Sequence, residues 1–211
     1  MKKPILSLGL LAMLLCVPLL SGAPQAPLGV DMARTNAVKL FNVPAPGQDF
    51  LHFTVWDTIE IPGVGTDTVE MNGTYRIQRM EPSTRDWQNA AMNIQLVDMD
   101  VHGASNVLGP VSVALNGENI GKVSPTDSAR TPKACVVNGK VKITLANLGV
   151  TVFNKDAVPL SHYITHIPPI GQGGSSPDVR IPLYNTADPD GAPVAYLLKV
   201  RTQIGGYVGE S

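Results

Sequence analysis

Asp98-Met99-Asp100-Val101-His102 is the stretch whose residue types point most directly to chemistry. In an extended strand residues i, i+2 and i+4 share a face, with neighbours about 6.6 Å apart. Asp98, Asp100 and His102 would then line one side, and Met99 and Val101 the other. Two carboxylates and an imidazole suit calcium, manganese or zinc, depending on what a neighbouring strand adds; His52 and His162 are the histidines that could join them. The plainer reading is a half-exposed strand with its polar row in water. Ile94 and Leu96 have the opposite parity to Met99 and Val101, which predicts a bulge near Leu96-Val97, and bulges often re-aim side chains near sites.

A second candidate is a repeated phrase, Asp57-Thr58-Ile59-Glu60-Ile61-Pro62-Gly63 and Asp67-Thr68-Val69-Glu70-Met71-Asn72-Gly73. Gly63-x-Gly65-x-Asp67-x-Val69 fits most of the calcium nonapeptide of parallel β-helices, but two copies cannot build a solenoid. The apolar phases fit a hairpin better, because paired residues share a face. Pairing Ile61 with Asp67 sets Ile59 against Val69, Asp57 against Met71, Phe53 against Tyr75 and Leu51 against Ile77, around a Pro62–Thr66 loop. The two aspartates would then lie about 13 Å apart, too far to share a metal ion. Asp57 falls on the apolar phase in mid-strand, where a carboxylate needs partners; a bulge at Trp56-Asp57 turning it outward is expected.

His162 and His166 are four apart, a zinc pairing on a helix. Here the flanks read as a strand, which separates them by about 13 Å and leaves two partly buried, hydrogen-bonded imidazoles. Asn138-Gly139 signals a two-residue hairpin turn that would oppose Cys135 with Lys142. A lysine beside a thiol lowers its pKa, whereas the commoner role of a lone cysteine is a small buried hydrophobe. Trp87, with Arg85 and Asp86, lies in the aperiodic stretch 81–90, and 167–178 is a second loop. Binding residues concentrate on loops, so the Trp56 and Trp87 rings are candidates for a carbohydrate or protein partner, with Trp56 in the core as the alternative.

Other chemistries have no residues to carry them. The sequence lacks a Gly-x-Ser-x-Gly elbow, a His-Glu-x-x-His pair, a phosphate loop and a cysteine pair. Asp188-Pro189-Asp190-Gly191 lacks the first ligand and the bidentate glutamate of an EF-hand and reads as a turn.

The elements that would position these residues are strands. Period-two alternation recurs from Leu51 to Ile204, with turn signals at Asn72-Gly73, Asn116-Gly117, Asn138-Gly139 and Asp188–Gly191. At the C-terminal end Tyr196, Leu198, Val200 and Ile204 form the apolar row. So many half-apolar strands must cover one another, which predicts an all-β fold: a single antiparallel β-sandwich of about eight to ten strands, with a closed β-barrel as the alternative.

The ends of the chain bear on location. Lys2 and Lys3, the apolar run Ile5–Leu20 and the small residues Ser21, Gly22 and Ala23 have the order of a secretory signal peptide, residues 1–26, with cleavage between 22 and 27. The apolar run is short for a membrane span, so no span is expected after cleavage. Residues 27–211 then form one domain that can bury a core without disulfides; only Cys135 remains. Of 16 Lys and Arg, Lys2 and Lys3 lie in the signal, which leaves 14 against 17 Asp and Glu. That balance disfavours nucleic acid. The expected function is a non-catalytic binding or structural module, secreted or periplasmic, needing no cofactor. The rival is a metal-dependent hydrolase or oxidase around Asp98, Asp100 and His102 with a divalent metal.

Overall fold

The computed structural model describes residues 43–127 and 132–209; the signal segment lies outside them. Twelve strands follow in chain order: β1 Gly47–Ile61, β2 Gly65–Arg79, β3 Met92–Ser105, β4 Gly109–Leu115, β5 Asn119–Val123, β6 Lys133–Gly139, β7 Val141–Leu145, β8 Val150–Asn154, β9 Val158–Ile164, β10 Gly173–Ser175, β11 Ile181–Asn185 and β12 Ala195–Gly209. All pair antiparallel in one sheet, ordered β1-β2-β3-β4-β7-β8-β11-β12-β10-β9-β6-β5. The all-β antiparallel architecture is the one the alternation predicts. The count is higher than eight to ten because β5 and β10 are short and carry no alternation to read.

The sheet closes on itself. β1 also pairs with β12, and β3 also pairs with β5. Four long strands, β12-β1-β2-β3, therefore belong to two circuits. One returns through β4, β7, β8 and β11, the other through β5, β6, β9 and β10. The division falls midway along the long strands. Met92–Leu96 of β3 pair with β5, and Asp100–Ser105 pair with β4. Ala195–Leu197 of β12 pair with β11, and Arg201–Gln203 pair with β10.

Alternation fixes which side chains meet inside. Leu51, Phe53, Val55, Ile59 and Ile61 of β1 and Val69, Met71, Tyr75 and Ile77 of β2 are buried. The β1–β2 register has the predicted parity but is shifted by two residues: Ile61 opposes Gly65, Ile59 opposes Asp67 and Asp57 opposes Val69. The loop is Pro62-Gly63-Val64. Gly63 (φ 81°) and Gly65 (φ 131°) take the left-handed conformations that this tighter turn needs, and matching phases fix a register only to within two residues.

Four register shifts reset the inward phase, one on β3 and three on β12, two of the latter near its end at Gly205 and Val208. Arg76 opposes Asp98 while Ile77 opposes Leu96, so Val97 is the extra residue, as the change of parity predicts. Thr58 opposes Lys199 while Ile59 opposes Leu197, so Leu198 is skipped. The inner residues of β12 are thus Ala195, Leu197, Val200, Thr202 and Ile204, rather than a row through Tyr196 and Leu198.

Two turn signals are overridden. Asn72-Gly73 lies inside β2, where Gly73 passes close to β3: a Cβ there would meet the Asp100 carbonyl oxygen at 2.0 Å. Asn138-Gly139 ends β6 and makes no hairpin, because β6 and β7 belong to different circuits, whereas Asn116-Gly117 does lie in the bend between β4 and β5, with Gly117 at φ 84°. Asn154 secures the β6–β7 crossing, its side chain donating to the Gly139 carbonyl and accepting from the Val141 N–H. The 167–178 loop contains β10, whose backbone pairs with β9 and β12.

Gly73→Ala should lower stability by about 1–3 kcal/mol, because the obstructing atoms are backbone. Gly205→Ala, where a Cβ meets only the His52 carbonyl at 4.0 Å, should change it by less than about 1 kcal/mol. Urea unfolding of both variants checks the contrast.

Candidate functional site

The Asp98-Asp100-His102 row lies on the outer face of β3, all three exposed. His102 Nε2 meets Asp100 Oδ1 at 2.7 Å, with both side chains about two-thirds in solvent (64% and 72%). His52 shares this face but stands two strands away, with Thr74 between it and Asp100. His162 points to the interior instead. Among the described residues no three His, Cys, Asp or Glu side chains converge as a metal-holding group.

The aromatic candidates exchange places. Trp87 is buried (2% exposed), not presented to a partner. The fully buried Lys133 lies 5.3 Å from the centre of its ring and donates to the Ala90 and Ser124 carbonyls. That arrangement pins the loop that carries Trp87. Arg85 and Asp86 remain exposed, Arg85 paired with Glu81. Trp56 is on the outer face of β1, its Nε1 donating to Glu70 and Arg201 lying over its ring.

The interior holds the more distinctive site. Inside the β5-β6-β9-β10 circuit is a cavity of about 780 Å³, mouth included, lined chiefly by apolar side chains such as Phe53, Ile77, Ile94, Val137 and Ile164. Its polar groups are few. Asp49 and Arg79 form a buried ion pair, and Arg79 also donates to the Ala45 carbonyl. Tyr75 packs edge-on against Phe53, ring centres 4.6 Å apart; burial pushes its hydroxyl pKa upward, with Cys135 and Asp49 adding to the effect. His162 opposes Cys135 in register, and burial holds its pKa below the ordinary imidazole value. Cys135 has Lys133–Gly139 neighbours paired to β5 and β9, so Lys142 is nowhere opposite it. Burial pushes the thiol up to about 12, the opposite of an activated nucleophile.

A second, narrower pocket of about 440 Å³, mouth included, borders the first at Phe53, Met99, Leu160 and Thr202 and reaches toward the β4-β7-β8-β11 circuit. Asp57 lies on its wall. No bulge turns this residue outward: the β1–β2 ladder is regular through Asp57, which sits between Val69 and Val200. It is 3% exposed, and no protein group donates to Oδ1. Burial alone raises its carboxyl to about 7. The sequence marked Asp57 as anomalous but not as part of a cavity, because the lining is assembled from strands far apart in the chain.

A closed all-β body with an apolar interior and two buried carboxylates is the class that fold and site define. The chain belongs to the DUF6073 family, a family of unknown function, whose model matches residues 16–211. Among solved structures it is similar to DynF from the dynemicin biosynthesis pathway of Micromonospora chersina. The two are 31% identical with a TM-score of 0.75, over 80% of this chain and 84% of that one. No curated protein matches.

Two outcomes follow from these burials. Asp57 is harder to ionise in the folded state, so its favourable contribution is complete below about pH 4 and is lost as pH rises to about 7. Asp57→Asn should therefore gain stability relative to the native chain across that window, by up to roughly 4 kcal/mol, in urea titrations at pH 4 and 8. Cys135 in the folded protein should react with a thiol reagent at pH 8 at least a hundredfold more slowly than in the unfolded chain, read by mass spectrometry.

Proposed function

We propose that this is a non-catalytic binding protein that holds a small apolar ligand inside its strand circuits, and that it does so after export. The observation that carries the reading is the cavity of about 780 Å³, apolar apart from a handful of polar groups. That lining is the kind a small-molecule site has, where a few polar groups fix orientation. The chemistry around it favours holding over turnover. The thiol is held protonated by burial, and the Asp49 carboxylate is committed to Arg79. DynF, at 31% identity, comes from a biosynthesis pathway, a setting in which small molecules are made and passed on; this supports a small-molecule ligand here. Export rests on the charge, apolar run and small residues of 1–26.

An apolar fluorescent probe, N-phenyl-1-naphthylamine, should brighten on binding with a Kd in the micromolar range. Leu160→Trp, which places a ring at a position lining both pockets, should weaken that binding at least tenfold while thermal unfolding stays cooperative. Val136→Trp, at an exposed position, should leave it unchanged. A probe that fails to bind, or binds Leu160→Trp as tightly as the native chain, would overturn the cavity reading.

A further inference from the structure

We propose that Asp57 is the head-group receptor of the cavity, and that the ligand is an apolar molecule ending in a primary amine, its ammonium at Asp57 and its chain directed past Phe53, Met99 and Leu160. This rests on the cavity reading above and names the ligand's chemistry.

The geometry carries the inference. A carboxylate oxygen that is buried without a donor costs the full loss of its hydration, and sequences shed such groups unless something uses them. Asp57 could be relieved by one bulge, and β12 supplies one beside it, between Thr58 and Ile59, yet the β1–β2 ladder stays regular and keeps the carboxyl inward. Around it the strands bring only apolar side chains, a glycine and the Thr202 hydroxyl; the narrow part contains no other titratable group. The wide part contains Asp49, Arg79, Tyr75, Cys135 and His162. Its guanidinium is occupied by Asp49, so a ligand carboxylate would meet a paired cation at one end and a second carboxyl at the other. A hydroxyl head would give Asp57 one neutral hydrogen bond. An ammonium gives it a charge-assisted one and neutralises the ionised form. The carboxyl ionises near neutrality in the unliganded protein, so ionising it for an amine costs little at pH 8 and more as the pH falls.

The test is displacement of N-phenyl-1-naphthylamine by decylamine, 1-decanol and decanoate, each below its micelle concentration, from the native protein and Asp57→Asn. At pH 8 decylamine should bind at least tenfold more tightly than decanol, and decanoate most weakly. Asp57→Asn should erase the amine preference while decanol stays within threefold of its native affinity. Between pH 8 and pH 5.5 native affinity for decylamine should fall at least tenfold, with decanol unchanged. His162→Gln should keep that response, which separates Asp57 from the imidazole that lines the wide part. Decanol or decanoate matching decylamine, or an amine preference that survives Asp57→Asn, would overturn the assignment and leave the cavity reading standing. Failure of the probe and of all three ligands to bind would remove both.

Discussion

The double use of four long strands is the constraint on which the rest of the structure depends. β12, β1, β2 and β3 each line one circuit with one half and the other circuit with the other half. Alternation with period two must therefore hold over about fifteen residues or be reset by a bulge. β3 resets at Val97, and β12 at Leu198, Gly205 and Val208. The β1–β2 ladder has no reset, and a single inward phase runs from Asp49 through Asp57 to Ile61. Both buried carboxylates of this strand follow from that phase: Asp49 finds Arg79, whereas Asp57 finds a cavity.

What could be read from the sequence was whatever depends on near neighbours. Strand identity, the inward phase of β1 and β2 and the bulge at Val97 are all visible as parity. What could not be read depends on which strand lies alongside. Asn138-Gly139 has the composition of a hairpin turn, but its flanking strands pair into separate circuits, so Cys135 meets His162 rather than Lys142. Asn72-Gly73 looks like a turn and is mid-strand, since Gly73 is needed for the approach of β3 rather than for a reversal. Trp87 sits in a loop by composition, and only the buried Lys133 beneath it, 46 positions further on, shows why it faces inward.

The same distinction separates the two candidate sites. Asp98, Asp100 and His102 are conspicuous because they are close in sequence, and that closeness puts them in a row along one wet face. The cavity is inconspicuous because its lining comes from strands spread from β1 to β12. Apolar residues there look like ordinary core. Asp57 is the member the sequence flags, because it breaks the apolar phase in mid-strand.

The pairing of β1 with β12 has a consequence in time. During synthesis β1 emerges with its apolar inner row exposed, and the partner that closes both circuits, β12, is the last of the described strands to be made. Closure must wait for β12, and loop entropy is spent before these contacts form, as in other β proteins with non-local pairing. Until then the unpaired edge of β1 is open to other chains.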